Sequence, residues 1–166
     1  MSEWVKAKGE GKPEFKEMEK AVPGYGYKDP KKAESTDEQF RRMIADDINK
    51  SRDFLFPMIE AAYLEEDFDN AGALEDVMQW LDVFLLELGL PLVWGEKADY
   101  KKFVRLMKAD VTIMRNSRKL TKILEQMQEK VMHGKGGSMV RRCALLKKYV
   151  SDLLVVFKRR RHALGG

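Results

Sequence analysis

Residues 98–132, ADYKKFVRLMKADVTIMRNSRKLTKILEQMQEKVM, decide the fold. Phe103, Met107, Val111, Met114, Leu120, Leu124, Met127 and Val131 recur at helical spacing, and no strand alternation competes with them. Read as one helix, the stretch is about 50 Å long at 1.5 Å per residue. Its other side carries Lys101, Arg105, Lys108, Arg115, Lys119 and Lys122, at intervals of 4, 3, 7, 4 and 3 residues. At about 100° per residue these six cations fall within an arc of about 100° and a length of about 30 Å. The stretch is an amphipathic rod with one apolar edge and one basic edge.

Upstream, Thr36-Asp-Glu-Gln39 has the form of a capping box. A helical stripe follows it through Phe40, Ile44, Ile48, Leu55 and Met58 to Tyr63, in phase across Pro57, which predicts one kinked helix or two nearly coaxial ones. Leu74, Val77, Leu81, Phe84 and Leu88 mark the next helix, which Gly89 and Pro91 end. Downstream, Gly134-Lys-Gly-Gly-Ser138 separates the long rod from a last helix, with Ser138 as its expected cap. That helix has Met139, Cys143, Leu146, Val150, Leu153 and Phe157 on one face. The pattern predicts an all-α, four-helix bundle-like domain over 36–164, with helices at about 36–66, 70–88, 98–132 and 138–162.

Residues 1–35 differ in composition: eight lysines, three of the five prolines and few aliphatics. They predict an extended, flexible, basic N-terminal arm, with a helical turn or two at 13–22 before Pro23-Gly-Tyr-Gly-Tyr-Lys-Asp-Pro30 breaks it. Its aromatics, Trp4, Phe15, Tyr25 and Tyr27, are expected to dock on a partner or stack on exposed bases.

The chain has 166 residues and a net charge of +4, which suits one domain of ordinary size. Its single Cys excludes an internal disulfide. No apolar run approaches the roughly 20 residues of a membrane span, and the first residues lack a signal-peptide core, so an intracellular or virion setting is expected. The small net charge conceals a segregation. Residues 1–33 carry a net +2, residues 34–88 a net −11, and residues 96–162 a net +13.

Like charges three and four apart on one helix face repel, so the basic row implies an anion beside it. One source is the acidic pair of helices, in the same chain or in a neighbouring copy. The other is a phosphate backbone, whose bound counterions are released on contact. Arg141, Arg142, Lys147 and Lys148 on the last helix, and Lys158, Arg159, Arg160 and Arg161 at its end, extend the basic surface. Few Asn or Gln accompany these cations, and no helix-turn-helix or zinc-finger spacing appears, so backbone contact without sequence reading is expected.

In layout, a basic arm joined to a basic-faced helical bundle resembles the small coat and nucleocapsid proteins of filamentous archaeal viruses. That resemblance implies helical proteins that wrap and sheathe double-stranded DNA. The resulting expectation is a non-enzymatic nucleic-acid-packaging protein that also self-associates. The alternative is an assembly or adaptor module whose acidic and basic faces pair between copies or with a partner protein.

No motif supports catalysis, a cofactor, a metal or a small-molecule substrate. Gly134-Lys-Gly-Gly-Ser138 does not match a phosphate-binding P-loop, which needs Ser or Thr directly after the Lys. Asp67-Phe-Asp-Asn-Ala-Gly72 has Met78 where a calcium loop needs Glu, and reads as a connection in which Asp69 or Asn70 caps the next helix. His133 and His162 have no partners at ligand spacing. Cys143 lies on an apolar stripe as a packed thiol.

Overall fold

The computed structural model describes residues 1–165. Among these the protein is all-α. It has six helices and no strand: α1 (Glu3–Glu10), α2 (Lys12–Ala21), α3 (Pro30–Leu64), α4 (Phe68–Glu87), α5 (Tyr100–Met132) and α6 (Val140–Arg161). The chain divides into two compact units. The first comprises Met1–Ile44, Leu88–Arg115 and the chain from Val155 onward; the second comprises Ala45–Glu87 and Asn116–Leu154.

In the second unit four helical segments close a ring. Late α3 meets α4 through Arg52 and Asp82 at 2.9 Å, and α4 meets early α6 through Asp76 and Lys147 at 3.9 Å. The Tyr149 hydroxyl of α6 donates to Asn116 Oδ1 of α5 at 3.0 Å. Ser117 of α5 donates to Asp47 Oδ2 of α3 at 3.0 Å. Inside lie Ile48, Leu55, Leu74, Leu81, Leu124 and Val150, all fully buried. These are the apolar stripes read from the sequence, and α3 continues through Pro57 without interruption.

The first unit corrects the expected arm. Residues 3–21 are helical, and the 22–29 segment behind them packs through buried Val22, Tyr25 and Tyr27. Ser2 Oγ caps α1 by accepting from Val5 N at 3.2 Å, and Pro13 sits in the first turn of α2. Helices of eight and ten residues are marginal alone. Tertiary burial holds these: Trp4 stands edge-on to Phe15, Tyr27 and Phe103 at centroid distances of 6.0, 5.9 and 5.6 Å. Each such ring brings about 150–250 Å² to a core, which offsets the shortage of aliphatics. Trp4, Tyr25 and Tyr27 are buried within the chain and Phe15 is half-buried, so these aromatics are not free to dock elsewhere.

The start of α3 is also corrected. Asp29, not Thr36, is the cap, its Oδ1 accepting from Lys32 N at 2.8 Å, with Pro30 at the first helical position. Thr36 lies one and a half turns inside α3, where its hydroxyl accepts from Gly26 N at 3.2 Å and anchors the 22–29 segment.

Candidate functional site

The cations singled out by the sequence divide between the two units. In the first, Lys101, Arg105 and Lys108 are exposed on α5, opposite buried Phe103, Leu106 and Met107. Arg115 is exposed too, but Glu17 of α2 already neutralises it. Its Nε and Nη2 donate to the two carboxylate oxygens at 2.8 and 2.5 Å, and these bonds and charges raise its pKa. In the second unit Lys119 and Lys122 on α5, and Arg141, Arg142, Lys147 and Lys148 on α6, are exposed. Lys147 approaches Asp76. Among the described residues, Lys101, Arg105, Lys108, Lys119 and Lys122 have no carboxylate within 4.0 Å.

The end of α6 departs from its sequence reading. Lys158 and Arg159 are exposed, while Arg161 is half-buried and its Nε donates to Pro91 O at 3.1 Å. Arg160, placed by the sequence with the phosphate-contacting tail, is 1% exposed and belongs to the core. Its Nε donates to Asp110 Oδ1 at 2.5 Å, its Nη1 to Asp37 Oδ1 at 2.6 Å and its Nη2 to the Tyr27 hydroxyl at 3.2 Å. The Tyr25 and Tyr27 hydroxyls both donate to Asp110 Oδ2, at 2.7 and 2.5 Å. Asp37 Oδ2 accepts from Arg41 Nε and from Leu92 N, each at 2.9 Å. The guanidinium lies 4.4 Å from the centroid of the Phe40 ring, within cation–π range.

Two arginines therefore face two aspartates, and the cluster is electrically neutral. Burial alone would lower the Arg160 pKa, but Asp110, Tyr27 and Asp37 outweigh it and hold the group well above its ordinary value. Burial, followed by the Asp110 charge, pushes both tyrosines well above 10, so both stay neutral donors. Each carboxylate oxygen of Asp37 and Asp110 accepts at least one hydrogen bond within the cluster. A cleft of about 360 Å³ between Glu34, Arg41 and Trp94 reaches Asp37, whose oxygens are already bonded. The cluster is a clamp joining α3, α5, α6 and the 22–29 segment.

The sequence held a signal for it. Arg160 continues the stripe Leu153, Phe157 by three residues, and Asp110 follows Met107 at the same interval on the apolar edge of α5. A charge in the phase of a buried stripe identifies a buried ion pair.

The remaining motifs are structural. Asp67, rather than Asp69 or Asn70, caps α4, its Oδ1 accepting from Asn70 N at 3.1 Å. Buried Asn70 accepts from Met139 N at 2.8 Å and donates to Gly137 O at 2.9 Å, so it takes the role expected of Ser138 at the start of α6. Burial pushes the Cys143 thiol up to about 11, which keeps it protonated and unreactive. Among the described residues no three His, Cys, Asp or Glu side chains gather as a metal-holding group, and no helix is long and apolar enough to cross a membrane. Comparison with protein-family models, curated proteins and solved structures finds no match.

Proposed function

We propose that the protein binds the phosphate backbone of nucleic acid, duplex DNA foremost, without reading sequence, and serves to coat or package it. The observation carrying this reading is the set of exposed α5 cations with no carboxylate within 4.0 Å among the described residues: Lys101, Arg105 and Lys108 in the first unit, Lys119 and Lys122 in the second. A helix face that spaces cations three and four residues apart accumulates repulsion, and a polyanion relieves it. Arg141 and Lys148 add to the basic surface of the second unit, and Lys158 and Arg159 to that of the first. Arg160 has no part in this surface, and Arg115 has a reduced one. The buried N-terminal aromatics remove the wrapping arm from the mechanism, leaving helix-borne point charges. Lysine and arginine on a helix meet phosphates but read no bases.

Titrating generic duplex DNA against salt tests the reading. With about five phosphates neutralised, log K should fall with log salt at a slope of about −4 to −5. Reversing Lys101, Arg105 and Lys108 to Glu together should flatten that slope by about three and weaken binding for every sequence alike. Equal binding by the reversed variant would defeat the reading.

A further inference from the structure

We propose that the second unit carries both halves of a contact between copies of this chain. An acidic, apolar corner between α3 and α4 of one copy seats in a basic, apolar groove between α5 and α6 of the next. The groove has a volume of about 400 Å³. Ile123, Met127, Leu145 and Leu146 line it together with Lys130 and Arg142. Leu145 is 65% exposed. Lys130 and Arg142 have no carboxylate within 4.0 Å among the described residues. A trough that combines apolar side chains with two cations fits a partner with apolar side chains among carboxylates.

This chain presents such a surface. Leu64 is 86% and Phe68 64% exposed, at the turn joining α3 to α4. Between Arg52 and Lys97 the sequence contains no Lys or Arg at all, and Glu65, Glu66 and Asp69 surround the turn. The corner is preformed. The Tyr63 ring packs against that of Phe68 at 6.2 Å, and the Tyr63 hydroxyl is fixed by Glu75. Asp67 N donates to Ala62 O at 2.8 Å and Glu66 N to Tyr63 O at 3.0 Å, closing the end of α3. A rigid knob loses little conformational freedom on docking. Within the unit the opposed charges sit on different helices. Residues 45–87 hold twelve Asp and Glu against two Lys and Arg, and residues 116–154 nine Lys and Arg against three Asp and Glu, with Lys147 and Asp76 meeting across them at 3.9 Å. Because groove and corner are different surfaces, the contact is head-to-tail and propagates into chains or rings instead of stopping at a symmetric pair. The inference does not depend on nucleic-acid binding.

Sedimentation velocity on the nuclease-treated full chain tests it. At about 0.1 M salt the sedimentation coefficient should rise with concentration past that of a dimer. At about 1 M salt, where the screening length falls to about 3 Å, it should return toward the monomer. Leu145→Glu in the groove and Leu64→Lys at the corner should each weaken assembly on the order of tenfold or more, without lowering the thermal midpoint, since both sites are exposed. Mixed one to one, the two variants keep one sound groove and one sound corner between them, and should form a dimer that grows no further. The variant with Lys101, Arg105 and Lys108 reversed should assemble like the unaltered chain even as its DNA binding fails. A chain that remains monomeric at low salt, assembly indifferent to both substitutions, or a mixture that stays monomeric would each overturn the inference.

Discussion

The two units reach stability by opposite means. The second has a mostly apolar interior set by size and helical phase. Its few buried polar groups, such as Ser51, Asn70 and Ser117, are neutral and hydrogen-bonded, and among the described residues none that it buries carries a charge. The first encloses a fully buried guanidinium with two aspartates and two tyrosines, and ties together segments more than a hundred residues apart in the chain. An apolar core accepts many sequences of suitable volume, whereas a buried ion cluster fails when any one member is lost. The difference teaches that the first unit is specified by particular residues and the second by a pattern.

The largest effect that should break this contrast is Arg160→Ala. It leaves Asp110 buried without a cation, and should cost about 3–5 kcal/mol in urea denaturation followed by circular dichroism. Arg160→Lys should recover only part of that loss, because an ammonium cannot reproduce the fork to Asp37 and Asp110. A loss below about 1 kcal/mol for Arg160→Ala would mean that the clamp contributes no more than an exposed pair.

Next in size is an alkaline dependence to which the two buried tyrosines of the first unit contribute, alongside the raised Cys143 thiol of the second. Tyr25 and Tyr27 are held well above 10 in the fold but titrate near 10 once unfolded. Their contribution is therefore present in full below about pH 10 and lost as pH rises further, because the unfolded chain releases those protons first. The thermal midpoint should drop on going from about pH 9 to about pH 11. In Tyr25→Phe/Tyr27→Phe the drop should be shallower, from a lower starting stability. An unchanged slope in that variant would remove the tyrosines from the account.

The smallest effect sharpens the picture of the second unit, where the backbone rather than any charge is strained. Glu66 closes the end of α3 at φ 57°, and Gly134 closes the end of α5 in the same way at φ 70°. In both, the amide one residue further along reaches back into the last turn: Asp67 N to Ala62 O, and Lys135 N to Lys130 O, each at 2.8 Å. Only Gly adopts this left-handed conformation without steric cost, so Glu66→Gly should stabilise the protein by about 0.5–1 kcal/mol in the same urea titration. Destabilisation instead would mean that the Glu66 side chain has a role in the turn that outweighs its backbone strain.

The same contrast explains which elements are legible in the sequence. Periodicity reports burial along a single helix, so the long stripes around Leu74, Leu124 and Val150 can be read without any partner. Helices of eight and ten residues turn too few times to establish a long stripe, so of the two only a turn or two at 13–22 is legible, and Trp4 reveals its place only through Phe103, far along the chain. Asn70 is hidden for the same reason, since it caps a helix that begins seventy residues later. Arg160 reads as one of four successive cations, although its phase with Phe157 carries the better information. The exposed row on α5 is legible in full, apart from the pairing of Arg115 with Glu17, whose short helix has the composition of an arm.

Leu164 is fully buried, and the backbone of Gly95 lies so close to its carbonyl that a methyl group added there would overlap the oxygen. Val93 N also donates to Arg161 O at 2.9 Å. Every residue of the second unit is synthesised before Val155, whereas the clamp waits for Arg160, and the Gly95 contact waits for Leu164. A chain cut between Leu154 and Arg160 would keep every residue of the second unit but would leave Asp37, Asp110 and two tyrosines of the first without their cation. An interrupted or carboxy-terminally trimmed chain would carry that unfinished half, and cellular proteases would recognise it first.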